Sequence, residues 1–246
     1  MLLKAAPSTY NTYIEPFAGS AVPFLGFNPQ TAVLADINTD VIQAYRQLKT
    51  SHRKLWWIIS SLPITEEFYY ELRSVQPDQL SPIERAARFI YLNRYCFNGV
   101  YRTNLKGEFN VSRGKGALGI PSLELFKGFS DRLKNTKLVN RDFETVIDSS
   151  RKNDFIYIDP PYIDSSKRDR GEYGLNSFKG RDLDRLISSL QRADSRGVSV
   201  MISYRDCPIL QSQLSTWHQK SITVRRSVAQ KTENRKPAEE LLVTNY

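Results

Sequence analysis

The sequence predicts an α/β fold: a mostly parallel sheet flanked by helices, with a C-terminal antiparallel hairpin at one edge and a helical insertion. Three observations predict it. Seven short runs rich in β-branched and aromatic residues are each flanked by breakers, as strands are. Helical periodicity separates several of them, which argues for parallel pairing with helices on both faces. The last two runs are joined by a polar, basic stretch with no helix, which argues for a hairpin.

In order, the runs are TYIEPF (12–17), AVLADIN (32–38), KLVNRDF (137–143), DFIYID (154–159), VSVMIS (198–203), KSITVRRSV (220–228) and ELLVTNY (240–246). Between the fourth and fifth, Leu183, Leu186, Ile187 and Leu190 fall on one helical face. The stretch from about 40 to 130 is helical first (DVIQAYRQLK, EEFYYELRSV, SPIERAARFIYLNRY) and then loop-rich. Ser81 is placed as an N-cap, with Pro82 at the first helical position and Glu84 at the third. The expected division is 1–45 with 131–246 for the sheet domain, and 46–130 for an insertion between the second and third strands. Apolar residues make up 40% of the 246, enough for a packed core in each part.

Cys96 and Cys207 lie far apart and form neither a disulfide framework nor, with His52 and His218, a metal-binding pattern. The expected chemistry is metal-free, in a reducing cytoplasm. MLLKAAPSTYN has no long apolar stretch and does not read as a signal peptide. LWWIISSLPI (55–64) is too short to span a bilayer and contains a proline, so it reads as a core helix; no membrane association is expected.

The net charge of +9 points to a polyanionic partner if the charge is clustered. It is clustered: Arg85 to Lys115 carries five arginines and two lysines against Glu108, a balance of +6. Phe89, Tyr91, Tyr95, Phe97, Tyr101 and Phe109 are interleaved with it. Cations hold phosphates, guanidinium groups read guanine edges, and rings stack on or wedge between bases. Phe89, Tyr91 and Leu92 read as the buried face of a helix. FNGVYRTN, with a tight turn at Asn98-Gly99, reads as surface.

DPPY (159–162) closes the fourth strand, where open α/β sheets bind ligands. The exocyclic amine of a base is a poor nucleophile because its lone pair is conjugated into the ring. Two acceptors around its N–H bonds would rehybridise and orient it. Asp159 and the Pro160 carbonyl can be those acceptors, held by two prolines of fixed φ. Tyr162 can stack on a base taken out of its duplex.

With these residues in place, the chain resembles the Dam-like DNA adenine-N6 methyltransferases, the D12 class with a DPPY motif, from Tyr13 to the C-terminus. YIEPFAGS resembles the family's first motif, LADINTDVI its second, LNRYCFNGVYRTNLKGEFNV its target-recognition signature and RRSVAQKTENRKPAEELLVTNY its C-terminal hairpin. The third is long and specific.

The resemblance implies a methyltransferase fold, double-stranded DNA as substrate and S-adenosylmethionine as cofactor. It implies cofactor contacts from Glu15, from the backbone around Phe17 and Gly19, from Asp36 to the ribose, from Asp142 and Phe143 to the adenine, and from Asp159. Catalysis would rest on Asp159, Pro160 and Tyr162. In the signature, Phe97 and Asn98 would intrude into the duplex and Arg102 would read a base. Val100 and Ser112 would flank Arg102, and Arg94, Asn104 and Arg113 would join the DNA-binding set. The segment 165–178 resembles the family's mobile segment over the active site. GATC is the family's frequent target.

Two departures fall on cofactor binding. The family's K-W-x-G-G-K is absent from the dozen residues before Tyr13, and F-x-G-x-G reads F-A-G-S-A, so Ala21 replaces a glycine. Its Cβ is expected to crowd the cofactor or forbid the needed backbone angle. Weak cofactor binding, or binding that needs an unknown protein partner, stays open. The leading reading is site-specific adenine-N6 methylation in a prokaryotic or phage-like setting such as restriction-modification. The alternative is a catalytically silent DNA-binding relative. A third, cytosine-N4 or RNA adenine specificity, is disfavoured by the Asp of DPPY and by the signature.

Overall fold

A computed structural model describes residues 2–104, 106–115, 119–162, 178–205, 207–225 and 237–246, with the backbone alone at 223–225 and 237–239. The chain divides into two compact units. One holds Met1–Ile37, Asn135–Ile163 and Phe178–Tyr246; the other holds Asn38–Lys134 and Asp164–Ser177, the latter outside the described residues.

The first unit is built on a sheet of seven strands among the described residues: β1 (Tyr13–Glu15), β2 (Ala32–Ala35), β3 (Thr136–Val139), β4 (Phe155–Ile158), β5 (Ser199–Arg205), β6 (His218–Arg225) and β7 (Pro237–Thr244). Their order is β3-β2-β1-β4-β5-β7-β6. The first five pair in parallel; β7 runs antiparallel between β5 and β6, and β6 forms the edge. All seven expected strands are present, as is the terminal hairpin. Several strands end sooner than the runs expected for them, at Glu15, Ala35, Val139 and Ile158. KLVNRDF stops pairing at Val139, because Asp142 caps a helix, Phe143–Asp148, by accepting the Glu144 N–H.

Alternation along the strands sorts the core. Ile14, Ile156, Ile158, Val200 and Ile202 pack with Phe143, Val146 and Ile147 of that short helix and with Leu183, Leu186, Ile187 and Leu190 of the helix Gly180–Ser195. The four residues expected to share a helical face are all buried, and each contributes about 1.5–3 kcal/mol through burial. The rings of the intervening residues Tyr13, Phe155 and Tyr157 pack tilted or edge-on around Phe27, at the end of the helix Val22–Phe27. The residues before β1 are fastened at the amino-terminal ends of the strands: Asn11 N–H donates to the Asn153 carbonyl, and Tyr10 packs on Phe155.

The second unit is helical. Its long helix Thr39–Ser61 is capped by Asn38 and kinked at Ser51, and it packs against the helices Pro82–Tyr95 and Leu123–Arg132. The long helix runs through residue 46, and the two units divide ahead of it. At the start of the helix Pro82–Tyr95, Ser81 N–H donates to the Glu84 carboxylate at 3.0 Å, completing the expected capping arrangement. Tyr91 and Leu92 are buried as expected and Phe89 is half-buried. In LWWIISS, Leu55 and Ile59 face inward while Trp57 is exposed.

Candidate active site

The strand order reverses direction between β1 and β4, and their carboxyl ends flank the switch point where such sheets bind ligands. The β1 exit is a tight loop. Ala18 N–H donates to the Ala35 carbonyl at 2.8 Å, and Gly19 N–H, at φ 43°, donates to Asp36 Oδ2 at 3.0 Å. The first loop thereby orients the acid that follows β2. Asn140 then ties the β3 exit to the β2 exit by donating to the carbonyls of Asp36 and Ile37.

Glu15 lies beneath this loop, 1% exposed. Its carboxyl accepts the Tyr13 phenol at 2.7 Å and is also bonded by the Phe24 backbone. Burial pushes it up to about 8, and the charges of Asp159 and Asp36 add to that, so it is neutral at pH 7. These bonds join β1 to the helix Val22–Phe27.

Beside the loop stands an aromatic group. The rings of Phe17 and Phe143 stack at 5.2 Å, and Phe178 meets both, at 5.9 and 6.0 Å. The Arg185 guanidinium lies over Phe143 at 4.9 Å and pairs with Asp142 Oδ1 at 2.7 Å. The same Oδ1 caps its helix through Glu144 N–H, so Asp142 is half-buried with both bonds on one oxygen.

At the β4 exit Asp159 is open to water, although protein surrounds most of its carboxyl. Desolvation pushes it up to about 6, and the charge of Glu240 raises it further in the same sense. Among the described residues no hydrogen bond or ion pair engages its carboxyl, and none engages the Pro160 carbonyl. The next carbonyl, Pro161, accepts the Tyr204 hydroxyl at 3.5 Å. Tyr162 packs on Tyr204 at 5.3 Å and donates its phenol proton to Glu240 at 3.1 Å. Glu15, Asp36, Asp159 and Glu240 thus form one electrostatically coupled carboxyl set in a chain of net charge +9.

In the helical unit, residues 96–104 and 106–113 lie against each other, with bridges Cys96 to Arg113 and Thr103 to Phe109. The turn at Asn98-Gly99 has φ of 56° and 64°, and it leaves Phe97 40% exposed, with Asn98 and Ser112 exposed too. Gly114 is needed for close approach: a Cβ there would meet the Cys96 carbonyl at 2.8 Å. Arg102 donates through Nε to Asn110 Oδ1 at 3.0 Å; among the described residues its two terminal nitrogens have no partner. Arg94 and Arg113 donate to the backbone carbonyls of Gly119 and Ile64. Asn104 organises its own turn, accepting from Lys106 and Glu108 N–H and donating to the Glu108 carboxylate. Val100 is half-buried.

A profile of the family described as D12 class N6 adenine-specific DNA methyltransferase matches residues 1–229. The chain belongs to that family. Among curated relatives, the type II methyltransferase M1.LlaDCHI of Lactococcus lactis subsp. cremoris is 34% identical over 250 residues, covering 98% of this chain and 88% of that protein. The DNA adenine methylase of Haemophilus influenzae is 31% identical over 252 residues, covering 97% and 86%. The DNA N-6-adenine-methyltransferase of Escherichia phage P1 is 32% identical over 236 residues, 93% of this chain but 31% of that longer protein. By family this is a DNA adenine-N6 methyltransferase, an enzyme class whose methyl donor is S-adenosylmethionine.

For a member of this D12 class, one expectation needs correction. Of the two effects expected of the Ala21 Cβ, crowding the cofactor or forbidding the backbone angle, the second does not hold: Ala21 adopts φ 52°, ψ 30°, fully buried, as the residue before the helix Val22–Phe27. The loop closes with alanine, at a conformational cost of about 1–2 kcal/mol. Of the segment 165–178, likened to a mobile cover, 165–177 lie outside the described residues; Phe178, its last residue, joins the aromatic group. Reading the sequence alone missed Arg185, Asn140, Tyr204 and Glu240. Only the C-terminal motif, which contains Glu240, offered any signal. Among the described residues no group of His, Cys, Asp and Glu could hold a metal, and no helix is long and apolar enough to cross a membrane.

Proposed function

We propose that this chain methylates N6 of an adenine extruded from double-stranded DNA, with Asp159 and the Pro160 carbonyl as the two acceptors for the amine and Tyr162 as the stacking ring. One observation carries the reading: at the switch point, a solvent-reached Asp159 and a fixed carbonyl stand side by side with no partner among the described residues. An amine presented there meets two ready acceptors. Ionised Asp159 accepts one N–H and Pro160 accepts the other, which turns the nitrogen lone pair out of conjugation. On transfer the nitrogen would gain the methyl group and release one N–H proton to water, while the sulfonium donor would leave as the neutral thioether.

The residues at the strand exits fit S-adenosylmethionine. Coupled carboxyls favour a ligand that brings positive charge, and S-adenosylmethionine carries a sulfonium and an ammonium. Asp36, oriented by Gly19 N–H, suits the ribose hydroxyls, and the rings of Phe17, Phe143 and Phe178 suit an adenine. Asp142, pinned by Arg185, holds Phe143 in place. Bound, the cofactor supplies an activated methyl group. Glu15 joins β1 to the helix Val22–Phe27 from the interior.

In the helical unit, Phe97 and Asn98 are the exposed residues suited to wedging into a duplex. Arg102, with two terminal donors and Asn110 on its Nε, suits a bidentate contact with guanine O6 and N7. Arg94, Arg113 and Asn104 shape the hairpin that presents them. We further propose GATC as the target and a reducing cytoplasm as the setting, in keeping with the unpaired Cys96 and Cys207.

Methylation of unmodified genomic DNA with tritiated S-adenosylmethionine, followed by site mapping, tests the reading. Label at adenines of one short sequence is expected. Retained DNA binding with no S-adenosylmethionine binding at millimolar ligand would mark a silent relative instead.

A further inference from the structure

Tyr162 is held at three points. Its backbone follows two prolines, whose second carbonyl accepts the hydroxyl of the buried Tyr204. Its ring lies on Tyr204, with the Arg205 guanidinium 6.0 Å from the ring centroid. Its phenol is fixed by Glu240, which sits on β7 opposite Arg205 of β5 and Ile222 of β6. The residue that fixes the phenol is 78 positions away in sequence, brought in because β7 inserts beside β5. A tyrosine that only stacks on a base has no need of an anionic partner. A hydroxyl anchored to a carboxylate loses rotational freedom, and a charge-assisted hydrogen bond is about twice as strong as a neutral one.

We infer that Glu240 is a positioning residue for methyl transfer: it locks the Tyr162 ring through the phenol and extends its negative field to Asp159. The inference rests on the role proposed for Asp159 and Tyr162. Charged and titratable groups around Asp159 come from several elements: Glu15 at the β1 exit, Tyr157 on β4 itself, Arg205 on β5 beside Tyr162, and Glu240 on β7. Of these, Glu240 is the charge that raises the proton affinity of Asp159 beyond the effect of burial. Removing that charge therefore lets Asp159 ionise at lower pH. Removing the hydrogen bond frees the far end of the Tyr162 side chain to swing.

The experiment measures kcat for methyl transfer to an unmethylated duplex from pH 5 to 9 in the wild type and in Glu240→Gln, Glu240→Ala, Tyr162→Phe and the Glu240→Ala/Tyr162→Phe pair. Glu240→Gln keeps shape and an acceptor while losing charge. Its acid limb is expected to move to lower pH, raising activity at pH 5.5 relative to pH 8 by about twofold. Glu240→Ala and Tyr162→Phe are each expected to lower kcat by about three- to tenfold. The pair should be no worse than the worse single variant, since both break one contact. An unmoved acid limb in Glu240→Gln, or losses that multiply in the pair, overturns the inference. If Asp159→Asn loses transfer while those results hold, the proposed chemistry survives without it. If the wild type transfers no methyl group to any DNA, both fall together.

Discussion

The strand exits and the recognition hairpin handle charge in opposite ways. The hairpin is where the sequence concentrates its positive charge, yet Arg94 and Arg113 spend theirs on backbone carbonyls within their own unit. Arg102 differs in giving its Nε to a side chain, Asn110, rather than to a backbone carbonyl; its terminal donors, like those of Arg94, have no partner among the described residues. The strand exits, in a basic chain, collect four coupled carboxyls and hold two of them, Glu15 and Asp159, well above their usual range. Net charge therefore describes attraction to a polyanion in general. Recognition and chemistry rest on the few groups each region leaves with unused hydrogen-bonding capacity.

The largest expected effect that breaks or sharpens this contrast is at Arg102. Arg102→Ala should cost about 1–3 kcal/mol in binding the cognate duplex and relax sequence choice at one position. An equal loss on all sequences, read by titration against cognate and scrambled duplexes, would make Arg102 a phosphate contact and erase its distinction from Arg94 and Arg113.

On the carboxyl side, folding takes up a proton at Glu15, because its folded value, about 8, lies above the unfolded 4.5. Between those values the folded state binds more protons than the unfolded one, so stability from this group falls as pH rises from about 4.5 and is lost beyond about 8. Glu15→Gln, which keeps an acceptor for the Tyr13 phenol, should flatten the decline in urea midpoints between pH 6 and 9. Parallel curves would mean that Glu15 ionises without cost.

The smallest effect is at Ala21. Ala21→Gly relieves a left-handed backbone at a buried alanine, so the melting temperature should rise by a few degrees, for about 1 kcal/mol. A lower melting temperature would show that the Cβ's packing outweighs the strain.

The sheet was legible because each strand is an apolar run bounded by breakers, and the helix Gly180–Ser195 because Leu183, Leu186, Ile187 and Leu190 keep helical spacing. The third strand's end was misread because KLVNRDF is apolar enough to continue. Asn140 and Asp142 turn it instead, through bonds to Asp36, Ile37 and Glu144. Asp159, Tyr162 and Arg102 were legible as residue types in specific motifs. Their partners were not. Glu240, Tyr204, Asn110 and Arg185 act through contacts set by tertiary pairing, and an arginine spent on a carbonyl looks in sequence like an arginine waiting for a base. Ala21 shows the converse limit: propensity argued against an angle that the loop's own bonds to Ala35 and Asp36 impose on its neighbours.

The central claim is that a carboxylate and a carbonyl at the β4 exit prepare an adenine amine for methylation. Mass analysis of nucleosides from unmethylated duplex DNA incubated with S-adenosylmethionine tests it most directly, comparing wild type with Asp159→Asn at matched DNA occupancy. N6-methyldeoxyadenosine should accumulate with the wild type and fall by at least about a hundredfold with the variant. Equal amounts from both proteins would contradict the claim.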